Sequence, residues 1–289
     1  DHRDLHSFPT RRSSDLVLLS GGTAPEPGFF SEVGSGTIHF NFSIRGDKAT
    51  ASLFGDVIRG VFLDQERLFI GGNNSLLGPI QADFGAMTAA DVRINGTLTS
   101  GLHFGHSLPK GKVDYDPRIF LGALGIVTKQ VNVLAELTAL FHWYQQVRIA
   151  CVAQTPEQQF LYESGLKIVE LNYQERISQL KRFINAVDNS QSLNVNSKKI
   201  SKNEIVEQKQ MLECWPEILI KLSDPAAFEQ TVPNALTNSI KEQQIKGKYS
   251  YTKLIRNLSQ EGKQAGKKWL TAISANVRNV FAAEIRKEK

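Results

Sequence analysis

The fold prediction rests on residues 70–85, which read IGGNNSLLGPIQADFG. In this stretch an apolar residue followed by glycine recurs at seven-residue intervals: Ile70-Gly71, Leu77-Gly78 and Phe84-Gly85. Phe54-Gly55 repeats the pair upstream. In a left-handed parallel β-helix an apolar residue points into a triangular prism about every six residues, and glycine fits the tight corner that follows it. The rhythm therefore favours such coils, but it leaves a β-sandwich with regular turns equally open.

The apolar period changes from β-type to helical at about residue 126. Apolar residues recur every three or four positions in 127–144 and again in 166–187, which predicts two amphipathic helices. Thr155-Pro156 predicts the start of the second helix, because threonine caps a first turn and proline is tolerated at the first helical position. The second half of the chain is therefore predicted to be α-helical.

The remaining helices are predicted with less regular boundaries. Residues 188–203 are polar and predict a loop, after which helices resume near Glu204 and are interrupted at Pro216. A final helix carries one apolar face, made of Trp269, Ile273, Val277, Val280 and Phe281. This face either covers the β-rich half of the same chain or contacts a second copy, and the sequence leaves both open.

These patterns divide the chain into three parts. Residues 6–16 resemble the translation of a sequencing-library adapter, so residues 1–16 are expected to be a disordered artefact and native sequence is expected upstream of Val17. Residues 17–125 are predicted to form a partial left-handed parallel β-helix. Residues 126–289 are predicted to form an α-helical C-terminal domain.

The composition is that of a globular protein. Hydrophobic residues make up 41% of the 289 and charged residues 22%, and no apolar run approaches the roughly 18 residues of a membrane span. Two cysteines, Cys151 and Cys214, lie far apart in apolar surroundings, which favours reduced thiols and a cytoplasmic location. Residues 241–289 carry twelve basic and four acidic residues, so the basic character of the chain belongs to its C-terminal tail.

A family resemblance starts at residues 34–42, GSGTIHFNF. This segment resembles the G-x-G-T-[IV]-x-x-N-[YF] coil of hexapeptide-repeat sugar-nucleotide enzymes, the bacterial N-acetylglucosamine-1-phosphate uridylyltransferases and their acetyltransferase domains. The likeness continues through Phe54-Gly55-Asp56-Val57 and residues 74–80 to Thr88-Ala89-Ala90. Together with WYQQVR at 143–148, it is similar to bacterial UDP-N-acetylglucosamine pyrophosphorylase-like proteins. The resemblance favours the β-helix over the sandwich.

The resemblance implies a parent protein that is a sugar-1-phosphate nucleotidyltransferase making a UDP-N-acetylhexosamine. UTP and Mg²⁺ would belong to an upstream domain, because residues 19–23 lack the basic residue of a phosphate-binding loop and are followed by prolines. In this chain we expect a scaffold and oligomerisation role, as a homotrimer like the relatives. One alternative is an acyl-CoA-dependent sugar acyltransferase, and another is a basic helical tail that binds an acidic partner.

The acyltransferase relatives bind acetyl-CoA and an amino sugar between subunits. By resemblance, the matching positions for these ligands are Asn41, Phe42, Lys48, Ala89 and Ala90. Phe42 stands where the family has a tyrosine, so a hydroxyl is lost. The family's catalytic histidine lies on an earlier coil that has no match here.

The histidines and loop carboxylates have several possible roles. Acetyl transfer needs a general base, for which His39 is the candidate, although its alternation with Ile38 and Phe40 also fits a solvent or subunit contact. His103 and His106 have ligand-like spacing without further ligands, so no metal site is predicted. His142 is expected on a helix surface. The neighbouring carboxylates, Asp56, Asp64 and Glu66, are expected to be solvated.

Overall fold

The computed structural model describes residues 52–66, 68–72, 74–105, 118–197, 199–247 and 250–286, without the side chains of 77–79 and 286. The predicted partial left-handed β-helix is wrong. The described part of the chain is 67% helical, and its few short parallel strands form a curled, half-barrel sheet. The protein is therefore a helical assembly that carries a small sheet near the start of its described part.

The strands are β1 Leu53–Phe54, β2 Ser75–Ala82, β3 Ala86–Thr88, β4 Arg93–Leu98 and β5 Gly101–His103. Strands β1, β2 and β4 pair in parallel in the order β1-β2-β4, and β3 pairs in parallel with β5. Phe54 and Phe84 are buried in the sheet region, as predicted, and Ile70 is half-buried against its core. The parallel direction and these apolar positions agree with the prediction, whereas the coils do not form.

Two irregularities explain why the predicted coils do not form. Between β1 and β2 the chain makes a one-turn helix, α1 Val57–Gly60, and then a left-handed residue, Leu63. Within β2 the register against β4 shifts between Leu77 and Ile80. Regular coils need straight strands of matched length on every face, and here β1 has two residues while β3 and β5 have three.

The helices of the larger part begin at residue 123. They are α2 Ala123–His142, which continues as a π-helix Trp143–Val152, then α3 Pro156–Asn189, α4 Gln191–Asn196, α5 Lys202–Lys221, a 3₁₀ turn Pro225–Phe228, α6 Asn234–Lys246, α7 Tyr251–Arg256 and α8 Gln260–Arg286. The Thr155 hydroxyl accepts a hydrogen bond from the Gln158 amide, which confirms the predicted start of α3. Capping of this kind satisfies amide groups that lack a partner in the first turn.

Two helix boundaries differ from the prediction. The polar segment 188–203 contains the short helix α4, in which Asn194 is buried and its side chain donates to Gln208. Helix α5 runs through Pro216 without ending there. In both cases packing against the rest of the molecule outweighs the local preference, since α5 buries Met211, Trp215 and Ile218 in the main core.

The sheet is joined to the helices through α1 and the turn that follows it. Val57, Val61 and Phe62 are fully or almost fully buried among residues of α2, the π-helix and α8. The Phe62 ring meets the Trp143 indole edge to face, with 5.2 Å between ring centroids. A Cβ atom at Gly266 of α8 would lie 2.5 Å from the Phe62 ring, so glycine permits this close approach. The sheet is thus held against the helical core.

The apolar face of the last helix is buried within its own chain. Trp269 and Ile273 pack in the core around α1 and the π-helix, and Val277 and Phe281 pack in the core formed with α3 and α5. The alternative that the sequence left open, contact with a second copy through this face, is not what the structure shows. Helix α8 therefore connects the two helical cores.

One helical segment, Ala123–Val152, is long and apolar enough to cross a membrane by length and composition. In this structure 72% of its apolar window is buried inside the protein. Such burial is typical of a helix in a protein core.

Candidate functional site

A cleft of about 610 Å³ lies where the sheet meets helices α2 and α8. Its volume falls in the range of small-molecule sites, about 300–1,000 Å³. Its walls come from the β1–α1 turn, the ends of β2 and β4, and one face each of α2 and α8. The residues that carry polar or charged groups into it are Asp56, Arg59, Gln81, Asp83, Thr97, Thr99, Asn132, Glu136, Lys267, Thr271 and Arg278.

The β1–α1 turn depends on Gly55. This residue has a φ of +67°, and an added Cβ atom would lie 2.5 Å from the Phe84 ring. A side chain at Gly55 is therefore disfavoured both by the left-handed backbone and by the close ring. The turn leads directly into Asp56, whose carboxylate caps α1 by accepting a 2.7 Å hydrogen bond from the Arg59 amide.

Arg59 is held between two carboxylates at the mouth of the cleft. Its Nε donates to Asp56 over 2.6 Å, and its terminal nitrogen pairs with Asp83. The guanidinium also lies 4.9 Å from the centroid of the Phe84 ring. Burial alone would lower the pKa of Arg59, but its hydrogen bonds to Asp56 and Asp83 outweigh burial and raise the pKa. Arg59 is thus a fixed cation that presents a planar set of donors.

Glu136 is a buried carboxylate in the floor of the cleft. It is 2% exposed, accepts a 2.9 Å hydrogen bond from the Val57 amide and pairs with Arg278 over 2.8 Å. Burial raises the pKa of Glu136, the negative charge of Asp56 adds to the rise, and the Val57 amide and Arg278 oppose it. Glu136 of α2 therefore ties α1 and α8 together at this point.

A second charged group lies at the rim of the cleft. Lys267 donates to Asp64 over 3.1 Å, and the buried Lys263 lies 3.8 Å from the same carboxylate. Burial would raise the pKa of Asp64, but hydrogen bonds from Gln65 and Lys267 and the charges of both lysines lower it. Asp64 is exposed, as predicted, but both Asp56 and Asp64 also have fixed cationic partners, which the prediction did not include.

The cleft combines three carboxylates with three cations, so its formal charge is balanced. It also carries the threonine, asparagine and glutamine side chains named above, which donate and accept hydrogen bonds. None of the described lining residues is aromatic. Such a surface suits a ligand with many hydroxyl groups and at most one or two negative charges better than a flat base or a triphosphate.

None of the catalytic or ligand-binding residues proposed from the sequence is among the described residues that line the cleft. His39, Asn41, Phe42 and Lys48, like residues 19–23, fall outside the described residues. Ala89 is half-buried and Ala90 exposed, and neither lines the cleft.

The corner at Ala89 packs closely against Gly71. A Cβ atom added at Gly71 would lie only 2.6 Å from the Ala89 carbonyl oxygen, so the two segments are in close contact.

The histidines take different roles from those expected. His103 contacts the Thr99 carbonyl through Nε2 at 2.7 Å, and His106 lies outside the described residues. His142 is fully buried, not on a helix surface as predicted. Its Nε2 lies 3.1 Å from the Pro225 carbonyl, and burial lowers its pKa. Within the described ranges, no group of three or more His, Cys, Asp and Glu side chains could hold a metal ion.

Sequence reasoning missed most of the residues that form the cleft. Arg59, Glu136 and Arg278 come from three distant parts of the chain, so no local motif connects them. The signal that could have found Glu136 was a single acidic residue in the apolar run 133–141, because a lone carboxylate on a buried helix needs a partner. Asp56 lay in the quoted Gly55-Asp56-Val57 motif but was given no role.

No protein-family model matches the chain, and no curated protein or solved structure shows significant similarity to it.

Proposed function

We propose that this chain is a non-catalytic, ligand-binding part of a bacterial sugar-nucleotide protein and that the cleft binds an amino sugar or its 1-phosphate. The observation that carries the proposal is the charge-balanced cleft of about 610 Å³. The choice of a sugar comes from the motifs in residues 34–90 that resemble those of sugar-nucleotide enzymes, a resemblance that no family model or curated protein supports. A cytoplasmic location, where sugar nucleotides are made, is part of the same proposal.

Three features of the cleft support a sugar over a nucleotide. The guanidinium of Arg59 and the carboxylate of Asp83 sit side by side, and such a pair can donate to one sugar hydroxyl while accepting from the next. Thr97 and Gln81 extend this polar surface along β4 and β2. With three carboxylates in the walls, a triphosphate would meet repulsion at several points.

Isothermal titration calorimetry of the full chain tests the proposal with four probes: N-acetylglucosamine, its 1-phosphate, the UDP-sugar and UTP. We expect the sugar 1-phosphate to bind and UTP to give no heat. Thr97→Val removes one hydroxyl without changing shape and should weaken binding up to about tenfold, the upper end of the effect of one neutral hydrogen bond. Arg59→Met should abolish it.

Lys268→Met is the matched control, since Lys268 is an exposed cation of α8 outside the cleft. It removes the same charge and should leave affinity unchanged. Arg59→Met also removes contacts of α1, so the melting temperature of this variant is measured in parallel. If Arg59→Met unfolds, Thr97→Val still provides the test. Absence of binding by every sugar probe, or equal binding of UTP, would refute the proposal.

A further inference from the structure

Helix α3 has an outward apolar stripe on its first half. Its members are large apolar side chains with high exposure: Phe160 at 72%, Leu161 at 63%, Ile168 at 39% and Leu171 at 71%. At about 100° per residue these four positions fall within an arc of about 100° on the helix surface. The buried residues of the same turns, Tyr162, Val169 and Tyr173, lie on the opposite side. The stripe is thus separate from the core that α3 forms with its own chain.

We propose that this stripe is the contact surface of a homodimer, in which α3 of one copy pairs antiparallel with α3 of a second copy. The inference does not depend on the proposed ligand. It rests on two properties of the stripe, the symmetry of its apolar positions and the charges along its flank.

The apolar positions are self-complementary in an antiparallel pair. The two most exposed residues, Phe160 and Leu171, mark the ends of the stripe, so a two-fold axis midway between them places each against the other in the second copy. Ser164, a small residue whose hydroxyl donates to the Phe160 carbonyl within the helix, lies one turn from Phe160 near that axis. A small residue there allows the two helices to approach closely.

The charges along one flank also match in this arrangement. Glu163, Lys167 and Glu170 are exposed and lie beside the stripe on the same side. In an antiparallel pair the same flank of both helices adjoins, so Lys167 of each copy lies about level with Glu163 of the other. Two symmetric ion pairs would result. Because one helical stripe buries less surface than a standard interface, the dimer is expected to be weak and concentration-dependent.

Sedimentation equilibrium of the full chain tests the dimer. We expect a monomer–dimer equilibrium below about 100 μM, the range of weak interfaces. Leu171→Glu and Phe160→Glu should each raise the dimer dissociation constant at least tenfold. Ile245→Glu is the matched control, since Ile245 is 85% exposed on α6 and outside the stripe. A chain that stays monomeric, forms trimers, or dimerises equally well in all variants would overturn the proposal.

Crosslinking tests the geometry independently of affinity. In the antiparallel dimer, a cysteine that replaces Ser164 lies near the two-fold axis and therefore close to its counterpart in the second copy. A cysteine that replaces Ser178 lies on the same face of the helix, but at 1.5 Å per residue it is about 37 Å from its counterpart. A short bismaleimide should therefore yield a covalent dimer of Ser164→Cys in excess over wild type, whose Cys151 and Cys214 are half-buried. Equal yields from Ser164→Cys and Ser178→Cys would contradict the antiparallel arrangement.

Discussion

At the scale of the residue, several buried charged side chains have a chemistry that depends on their surroundings. Arg148 is an example outside the cleft: its guanidinium lies 4.1 Å from the centroid of the Tyr251 ring and 4.4 Å from that of Tyr144, and it donates to the Tyr144 hydroxyl. Glu136 is the example inside the cleft, because its carboxylate is buried while its paired cation, Arg278, is partly exposed. A buried acid of this kind makes stability depend on pH.

Glu136→Gln should remove a pH dependence of stability. The pKa of Glu136 is raised above the ordinary 4.5, so between 4.5 and its raised value the folded state binds more protons than the unfolded state. The stabilisation from the protonated side chain is therefore complete below about 4.5 and is lost as the pH rises through the folded pKa.

Urea unfolding over a range of pH measures this effect. The free energy of unfolding of the wild type, relative to Glu136→Gln, should fall as the pH rises. Glu170→Gln, at an exposed position of α3, should run parallel to the wild type. A wild-type stability that rises relative to Glu136→Gln over the same interval would show that the Arg278 ion pair dominates burial.

At the scale of the element, most helices begin where their sequence patterns predict, whereas the strands do not form the predicted coils. The stripe from Val169 to Val187 is buried along α3, and Ser201 with Glu204 forms a reciprocal cap at the start of α5. The apolar-Gly pairs of the sheet region specify turns and buried positions but not strand pairing, which depends on residues distant in sequence. Pro216 shows the limit of local signals within a helix.

Pro216→Ala should stabilise the protein by about 1–3 kcal/mol. Proline in a helix interior cannot donate to the carbonyl four residues back and crowds it, which costs about 3 kcal/mol, while its restriction of the unfolded chain returns part of that amount. The side chain is exposed, so no packing is lost. The midpoint of urea unfolding should rise, whereas Glu217→Ala, the next exposed position, should leave it nearly unchanged. A fall in the midpoint with Pro216→Ala would mean that α5 requires the proline.

At the scale of the whole molecule, α8 holds the parts together. Its buried face contributes to both helical cores, and its polar face supplies Lys267 and Arg278 to the cleft. Lys267 and Arg278 of this helix therefore form ion pairs with Asp64 and Glu136 within the chain.

Ile273→Asp should destabilise the whole protein by about 4 kcal/mol or more, because it places an unpaired charge at a fully buried position. Asn276→Asp introduces the same charge on the exposed face of α8 and should change stability by less than about 0.5 kcal/mol. Thermal unfolding followed by circular dichroism measures both. If Ile273→Asp melted like Asn276→Asp, α8 would not be docked as described.

The sequence by itself determined most of the helical half of the protein, including the start of α3 at Thr155-Pro156 and the apolar face of α8, but not helix α4 or the continuation of α5 through Pro216. Helical period and caps involve residues within four positions of one another, so local energetics suffice to predict them. The sequence also determined which phenylalanines of the sheet region, Phe54 and Phe84, are buried.

Only the tertiary structure decided how the strands pair and where the polar groups meet. The predicted β-helix failed because the same apolar-Gly pairs permit several arrangements, and the choice depended on α1 and Phe62 packing into the helical core. The cleft was equally beyond sequence reasoning, since Asp56, Glu136 and Arg278 become neighbours only when α1, α2 and α8 pack together. Contacts between distant residues arise from the packing of whole elements, which no local pattern encodes.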